Sequence, residues 1–254
     1  MKEEVHNMNP EEYQNYNTSS YYQEPQDAMG NVATGLREAL EQEVVAKSFL
    51  YMVAALVVTA IAAFYSPELM ARWLVSSRMN IYLLFFAEIG IVMASNAAMR
   101  SNNVPLSAVL FTLYSYINGA VIGIIFWAYE LASVGSIFLM TAAMFAVMAV
   151  YGLVTKRDLS SIGNICLMGL IGIIIASFVN IFLLKSSTLE LGISVIGILI
   201  FVGLTAYDVQ KIKERARYST SDNVAVMALG GAFNLYLDFI NLFLKLLRLF
   251  GKRK

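Results

Sequence analysis

The stretch NLYLDFINLFLKLLRLF, residues 234–250, decides the fold. It is apolar enough to cross a bilayer, yet Asn234, Asp238, Asn241, Lys245 and Arg248 recur along it at spacings of 4, 3, 4 and 3. That spacing puts five polar side chains on one face of a helix. A carboxylate in the hydrocarbon core costs roughly 2.5–3.5 kcal/mol on insertion scales, and such groups face a bundle interior or a water-filled path. The stripe is therefore expected to lie at the centre of a bundle. The competing picture is an amphipathic helix lying in the membrane interface, with the stripe facing water.

Outward from this segment the chain repeats the same apolar theme. Of its 254 residues 58% are hydrophobic and only 14% charged, so the net charge of zero says little about partners. Apolar runs of the ~20 residues needed to span a bilayer occupy 48–65, 80–99, 105–129, 134–155, 162–184, 189–210 and, with more polar content, 224–250. These predict an all-α membrane protein of seven transmembrane helices, with residues 45–254 as its transmembrane domain.

Residues 1–44 are rich in Glu, Gln, Asn and Tyr without apolar periodicity, and are expected to form a disordered polar tail. They carry no signal-peptide pattern. His6, the one histidine, falls in this tail, and Cys166, the one cysteine, falls in the fifth apolar run, so no intrachain disulfide or Cys/His metal site is expected. Basic residues favour a cytoplasmic N-terminus. Nine of them (Arg37, Lys47, Arg100, Lys156, Arg157, Lys211, Lys213, Arg215, Arg217) then lie inside, against Arg72, Arg78 and Lys185 outside. Lys252, Arg253 and Lys254 oppose the trend if the last segment crosses fully, which its length favours.

A second aspartate, Asp208, interrupts the sixth run. The midpoint between Asp208 and Asp238 falls in the turn-like cluster Ser219, Thr220, Ser221, Asp222 and Asn223. In an antiparallel helical hairpin both carboxylates then stand roughly 20 Å above the turn, at the same height. Lys211 to Arg217 continue the sixth helix beyond the membrane as a solvated anchor. Two carboxylates in one poorly hydrated site cannot both ionise cheaply, so the pair is expected to share a proton and titrate as a unit. Ionised, it attracts a hard cation such as calcium, although two carboxylates fall short of calcium's usual 6–8 oxygen ligands. Glu88, in the middle of the second run, needs a partner, and Arg248, also toward the outer side, is the expected one.

Thr205-Ala206-Tyr207-Asp208-Val209-Gln210-Lys211-Ile212 resembles the signature at the end of the sixth helix in the Bax inhibitor-1, or transmembrane Bax-inhibitor-motif, family. The run from Leu235 through Asp238 to Arg248 resembles its last helix, especially in bacterial members. The resemblance covers roughly residues 45–251. It implies six helices around a central seventh, a multi-pass location in a bacterial plasma membrane, and a pH-sensitive calcium leak controlled by aspartates at positions 208 and 238. It also implies that a basic residue near the cytoplasmic end of the second span, here Arg100, contacts those aspartates. Calcium, the bilayer and membrane-protein partners are the expected associates, with no cofactor and no nucleic acid.

Two further readings compete. Tyr207-Asp208 also resembles the Tyr-Asp element of intramembrane aspartyl proteases, but Asp238 follows Leu235-Tyr236-Leu237 rather than Gly-x-Gly, and no proline follows Pro105. The other is a non-conducting adaptor that binds membrane proteases or cell-death regulators. No phosphate-binding loop, zinc spacing or nucleophile elbow supports an enzyme. Gly119, Gly123, Gly169, Gly172, Gly192 and Gly197 are expected to allow close helix packing.

Overall fold

The computed structural model describes residues 10–218 and 224–254, with side chains from residue 31 onward except that of residue 218. The described chain is helical almost throughout. α1 (Pro10–Tyr65), α2 (Pro67–Ser76), α3 (Arg78–Arg100), α4 (Val104–Phe126), α5 (Leu131–Val154), α6 (Ser160–Val179), α7 (Ser187–Tyr218) and α8 (Val224–Phe250) follow in order, with a π-helical turn at Asn180–Leu184 after α6. Seven helices are long and apolar enough to cross a membrane: all but α2, with α6 and the π turn counted as one. α2, which the apolar runs do not reveal, is a ten-residue helix started by Pro67 in its first turn. Ser77 caps α3 through Met79 N, and Asn103 caps α4 through Leu106 N at 3.1 Å.

The hub of the bundle is α8, which packs against α1, α3, α4, α5 and α7. Its far end meets the α4–α5 connection: Glu130 N donates to Lys252 O at 2.9 Å, Lys254 N to Ala128 O at 3.1 Å, and Lys252 N to Ser133 Oγ at 3.0 Å. Tyr129 and Arg253 form an isolated antiparallel bridge. The last helix thus runs the whole length of the bundle, and the interfacial alternative is set aside.

Two backbones meet without side chains between them where α4 crosses α1. A Cβ on Gly119 would run into the Thr59 carbonyl, and one on Gly123 into that of Ala63. α5 rides on α7 the same way, Gly152 against Ala206. Gly169 packs under Ile200 and Gly197 under Lys245, whereas Gly172 and Gly192 face open space, so the packing role expected of those two is corrected.

The disordered tail expected over 1–44 also needs correction where it is described. The backbone is helical from Pro10, and Glu41 and Val44 are buried. A helix already nucleated in the membrane extends residue by residue at low cost, and here the extension has partners. Glu41 Oε2 accepts from Arg217 at 3.0 Å, and Lys213 Nζ lies 3.3 Å from Oε1 while donating to Leu153 O at 3.0 Å. Lys213 and Arg217, expected as a solvated anchor, instead clasp α1 to α7.

Candidate functional site: a polar seam along the central helix

α8 has two dissimilar faces. One is aromatic: Phe233 and Tyr236 meet Phe111 of α4 at ring-centroid distances of 5.2 and 5.5 Å, and Phe239 meets Phe138 and Phe145 of α5 at 5.4 and 5.5 Å. Edge-to-face pairs of this kind fix a helix rotationally as well as burying area. Tyr236, fully buried, shares a 2.7 Å hydrogen bond with Thr59 Oγ1, which in turn donates to Ser115 O at 3.0 Å. With this face locked, the polar residues must point toward α3, α6 and α7.

That seam begins at Asn234, which lines a cavity of about 360 Å³ with Arg100, Arg215, Asn96 and Met99. One turn on, Asp238 is buried, and its Oδ2 has no hydrogen-bond partner. A further turn on, Asn241 and Lys245 line a second cavity of about 250 Å³ between α6, α7 and α8. Asn241 Nδ2 donates to Leu237 O at 2.8 Å. The seam ends at Arg248, whose Nη1 is 2.9 Å from Glu190 Oε1. Asp238 therefore separates two cavities strung along one helix.

Asp208 is close enough for its charge to act on Asp238, and Asp238 in turn acts on Cys166 of α6. Cys166 Sγ lies against Gly203, so α6 approaches the carboxylates through the smallest side chain α7 can offer. The turn expected at Ser219–Asn223 lies outside the described residues. The register of α7 against α8 is read from the helices themselves: Ile212 packs on Gly231 and Lys245 on Gly197, which places residue 208 level with about 234–235 and not with 238. The expected equal height is thereby corrected to an offset of about 5 Å, one helical turn. Side chains lean toward their own helix N-termini, and in an antiparallel pair that lean carries the two carboxyls toward each other.

The other expected partners are distributed differently. Arg100 is exposed on the cavity beside Asn234 and makes no ion pair among the described residues; the cations whose charges act on Asp208 are Arg215 and Lys211, on α7 itself. Arg248 pairs with Glu190, not with Glu88. Glu88 is half-buried and has no hydrogen bond or ion pair among the described residues, with Tyr114 and Tyr236 as the groups its charge acts on.

Gln210 is a positioning residue that sequence reasoning quoted without a role. Its Oε1 accepts from Leu159 N and its Nε2 donates to Arg157 O, both at 2.9 Å, which pins α7 to the α5–α6 connection half a turn from Asp208. In that connection Asp158 accepts from Ser160 N at 2.8 Å, and the Ser160 hydrogen bonds hold its carboxyl below the usual range. Among the described residues no three His, Cys, Asp or Glu side chains cluster to hold a metal ion.

Comparison with known proteins fits this architecture. The family model described as "Inhibitor of apoptosis-promoting Bax1" matches residues 41–254. The inner membrane protein YbhL of Escherichia coli strain K12 is 41% identical over 218 residues, 84% of this chain and 93% of its own. An uncharacterized protein of Borreliella burgdorferi is 38% identical over 219 residues, 85% and 94% of the two chains. An uncharacterized membrane protein of Streptococcus pyogenes serotype M1 is 40% identical over 180 residues, 70% and 77%. A matched region that starts at Glu41 and runs through both aspartates, in a bundle of seven apolar spans, makes this chain a multi-pass membrane protein of the Bax inhibitor family.

Proposed function

We propose that the protein is a pH-sensitive calcium leak channel of the bacterial plasma membrane, gated by Asp208 and Asp238, with its N-terminus in the cytoplasm. One observation carries the proposal: a buried carboxylate with an unsatisfied oxygen, acted on by a second carboxylate, separates two cavities on a helix at the centre of the bundle. A satisfied structural aspartate would have its hydrogen bonds filled. An aspartate that must exchange a proton or receive an ion keeps a lone pair available.

The chemistry is that of a gate. Gaining or losing one proton changes the charge of the pair, and with it the energy of a cation at the constriction. When charged, the two carboxylates hold calcium only in passing, because water and backbone oxygens must supply the remaining ligands. Conduction needs binding that is weak enough to release. The cations bearing on the pair are Arg215 and Lys211, which act on Asp208, while the neutral thiol of Cys166 lies within reach of the Asp238 charge. Arg100 and Arg215 both line the cavity beside Asn234 and make its field positive; both stand on the side assigned to the cytoplasm. No reaction is proposed for the pair.

Reconstitution into liposomes loaded with a calcium-sensitive dye tests this. The native protein should leak calcium with a rate that depends on pH, and Asp208→Asn or Asp238→Asn should leave the bundle folded while removing most of that dependence. Silence of correctly folded native protein would point to the non-conducting adaptor. An unchanged pH profile in both variants would remove the sensor role from the pair.

A further inference from the structure

Lys245 is a cation without an ion-pair partner of its own among the described residues, its nearest anionic influence being Glu190. Its seam neighbour Arg248 is paired to Glu190, and Lys245 itself makes no hydrogen bond or ion pair among the described residues. Its stem lies on α7 at Gly197, 3.1–3.3 Å from where a Cβ would stand, so the ammonium is held within the protein instead of stretching freely to the membrane surface. It lines the cavity of about 250 Å³ between α6, α7 and α8, together with Asn241. Apart from Ser177 the rest of that cavity is apolar, with Ile174, Phe178 and Ile181 on one wall and Phe201 on another.

Those three side chains, two on α6 and Ile181 in the π turn after it, are also exposed on the outer surface of the bundle. The cavity therefore opens sideways, into the acyl phase. A charged ammonium in such surroundings needs an anion, since an unpaired ion in a low-dielectric site costs several kcal/mol. The carboxylate whose charge reaches Lys245, Glu190, is already engaged by Arg248, and water-soluble anions do not enter hydrocarbon. An anion that carries its own apolar tail does.

We infer that the α6–α7–α8 cavity binds the anionic head of a membrane amphiphile, with Lys245 and Asn241 taking the carboxylate or phosphate and the hydrocarbon chain lying along Ile174, Phe178 and Ile181. At about 250 Å³ the cavity is just below the range for drug-sized ligand pockets, roughly 300–1,000 Å³, which suits one head and the first part of one chain. Occupancy would neutralise the cation that stands on the seam two turns beyond Asp238. The site is read from this cavity alone and does not depend on the leak.

Native mass spectrometry of the full-length protein in detergent tests it, with oleate, phosphatidylglycerol and phosphatidylcholine each added separately. One molecule of oleate or of phosphatidylglycerol should be retained in preference to phosphatidylcholine. Oleate alone identifies a single-chain carboxylate as the ligand, and phosphatidylglycerol alone a phosphodiester. Lys245→Met should weaken retention at least about tenfold, roughly the loss of one charge-assisted contact, while Lys245→Arg keeps it. Ile174→Trp, which fills the cavity from its exposed wall without touching a charge, should weaken retention as well. Equal retention of all three lipids by the native protein, or undiminished retention by both Lys245→Met and Ile174→Trp, would overturn the assignment.

Discussion

α6 and α8 are both long enough to span a membrane, and they stand in opposite relation to the rest of the protein. α6 is the most apolar of the seven spans, and only 11% of its most apolar stretch is buried inside the bundle; α8 is the least apolar, and 72% of its corresponding stretch is buried. In a water-soluble domain the ranking would run the other way. Lipid is as good a solvent for Ile and Leu as a protein core, so apolar residues gain nothing by turning inward, whereas polar ones have no other refuge. Polarity rather than hydrophobicity marks the centre of this fold.

The contrast can be broken most forcefully at glycines. Gly119→Leu or Gly123→Leu drives a side chain into the α1 backbone, which cannot yield as a side chain would, and should leave no folded protein by size-exclusion chromatography in detergent. Gly172→Leu on α6 meets open space and should be tolerated. If both substitutions were equally harmful, α6 would have a packing partner that the fold does not assign to it.

Aromatic truncation comes next. Phe233→Ala on α8 removes a ring that is 2% exposed and should cost about 3–5 kcal/mol, measured by reversible unfolding in mixed micelles. Phe182→Ala in the π turn after α6, exposed over most of its surface, should cost less than about 1 kcal/mol. Tyr236→Phe is a finer probe, because it deletes only the hydroxyl bound to Thr59 while that threonine keeps Ser115 O. A loss of about 0.5–1.5 kcal/mol is expected. Smallest is Glu190→Gln, which breaks a half-exposed ion pair at the seam's end and should change stability by about 0–1 kcal/mol. A larger effect there would mean that the Arg248 end of α8 is drier than its exposure indicates.

Much of this was legible in the chain because hydrophobic runs and isolated charges are local signals. The seven spans and the central position of the striped helix follow from them. What was not legible depends on which helix neighbours which. Depth alone assigned Arg248 to Glu88, but the first turn of α7 lies at the same level and offers Glu190. Glu41 looked like part of a polar tail because its partners, Lys213 and Arg217, are more than 170 residues away. The one-turn offset of the aspartates escaped because counting residues does not reveal which side chains of α7 and α8 interlock, and α2 escaped because ten residues are too few to register as a span. The two cavities leave no trace in any single segment, since each is bounded by three helices or more.

The position of α8 also has a consequence for how the molecule is made. The helix that binds the others together follows all of them in the chain, so a ribosome has delivered α1 through α7 to the membrane before their hub exists. Until then Thr59, Asp208 and the aromatic rings of α4 and α5 border a vacancy instead of a core. Assembly from the N-terminus can bring α1 against α4, through the bare backbones at Gly119 and Gly123, but it cannot close the bundle. The final 27-residue helix enters as a keystone, and the bonds from the residues after it to Ala128 and Glu130 of the α4–α5 loop and to Ser133 in the first turn of α5 latch it after entry. A translation product that stops short of Val224 would leave the Asp208 carboxyl without the helix that shields it from lipid, a state that membrane quality-control proteases are well placed to notice.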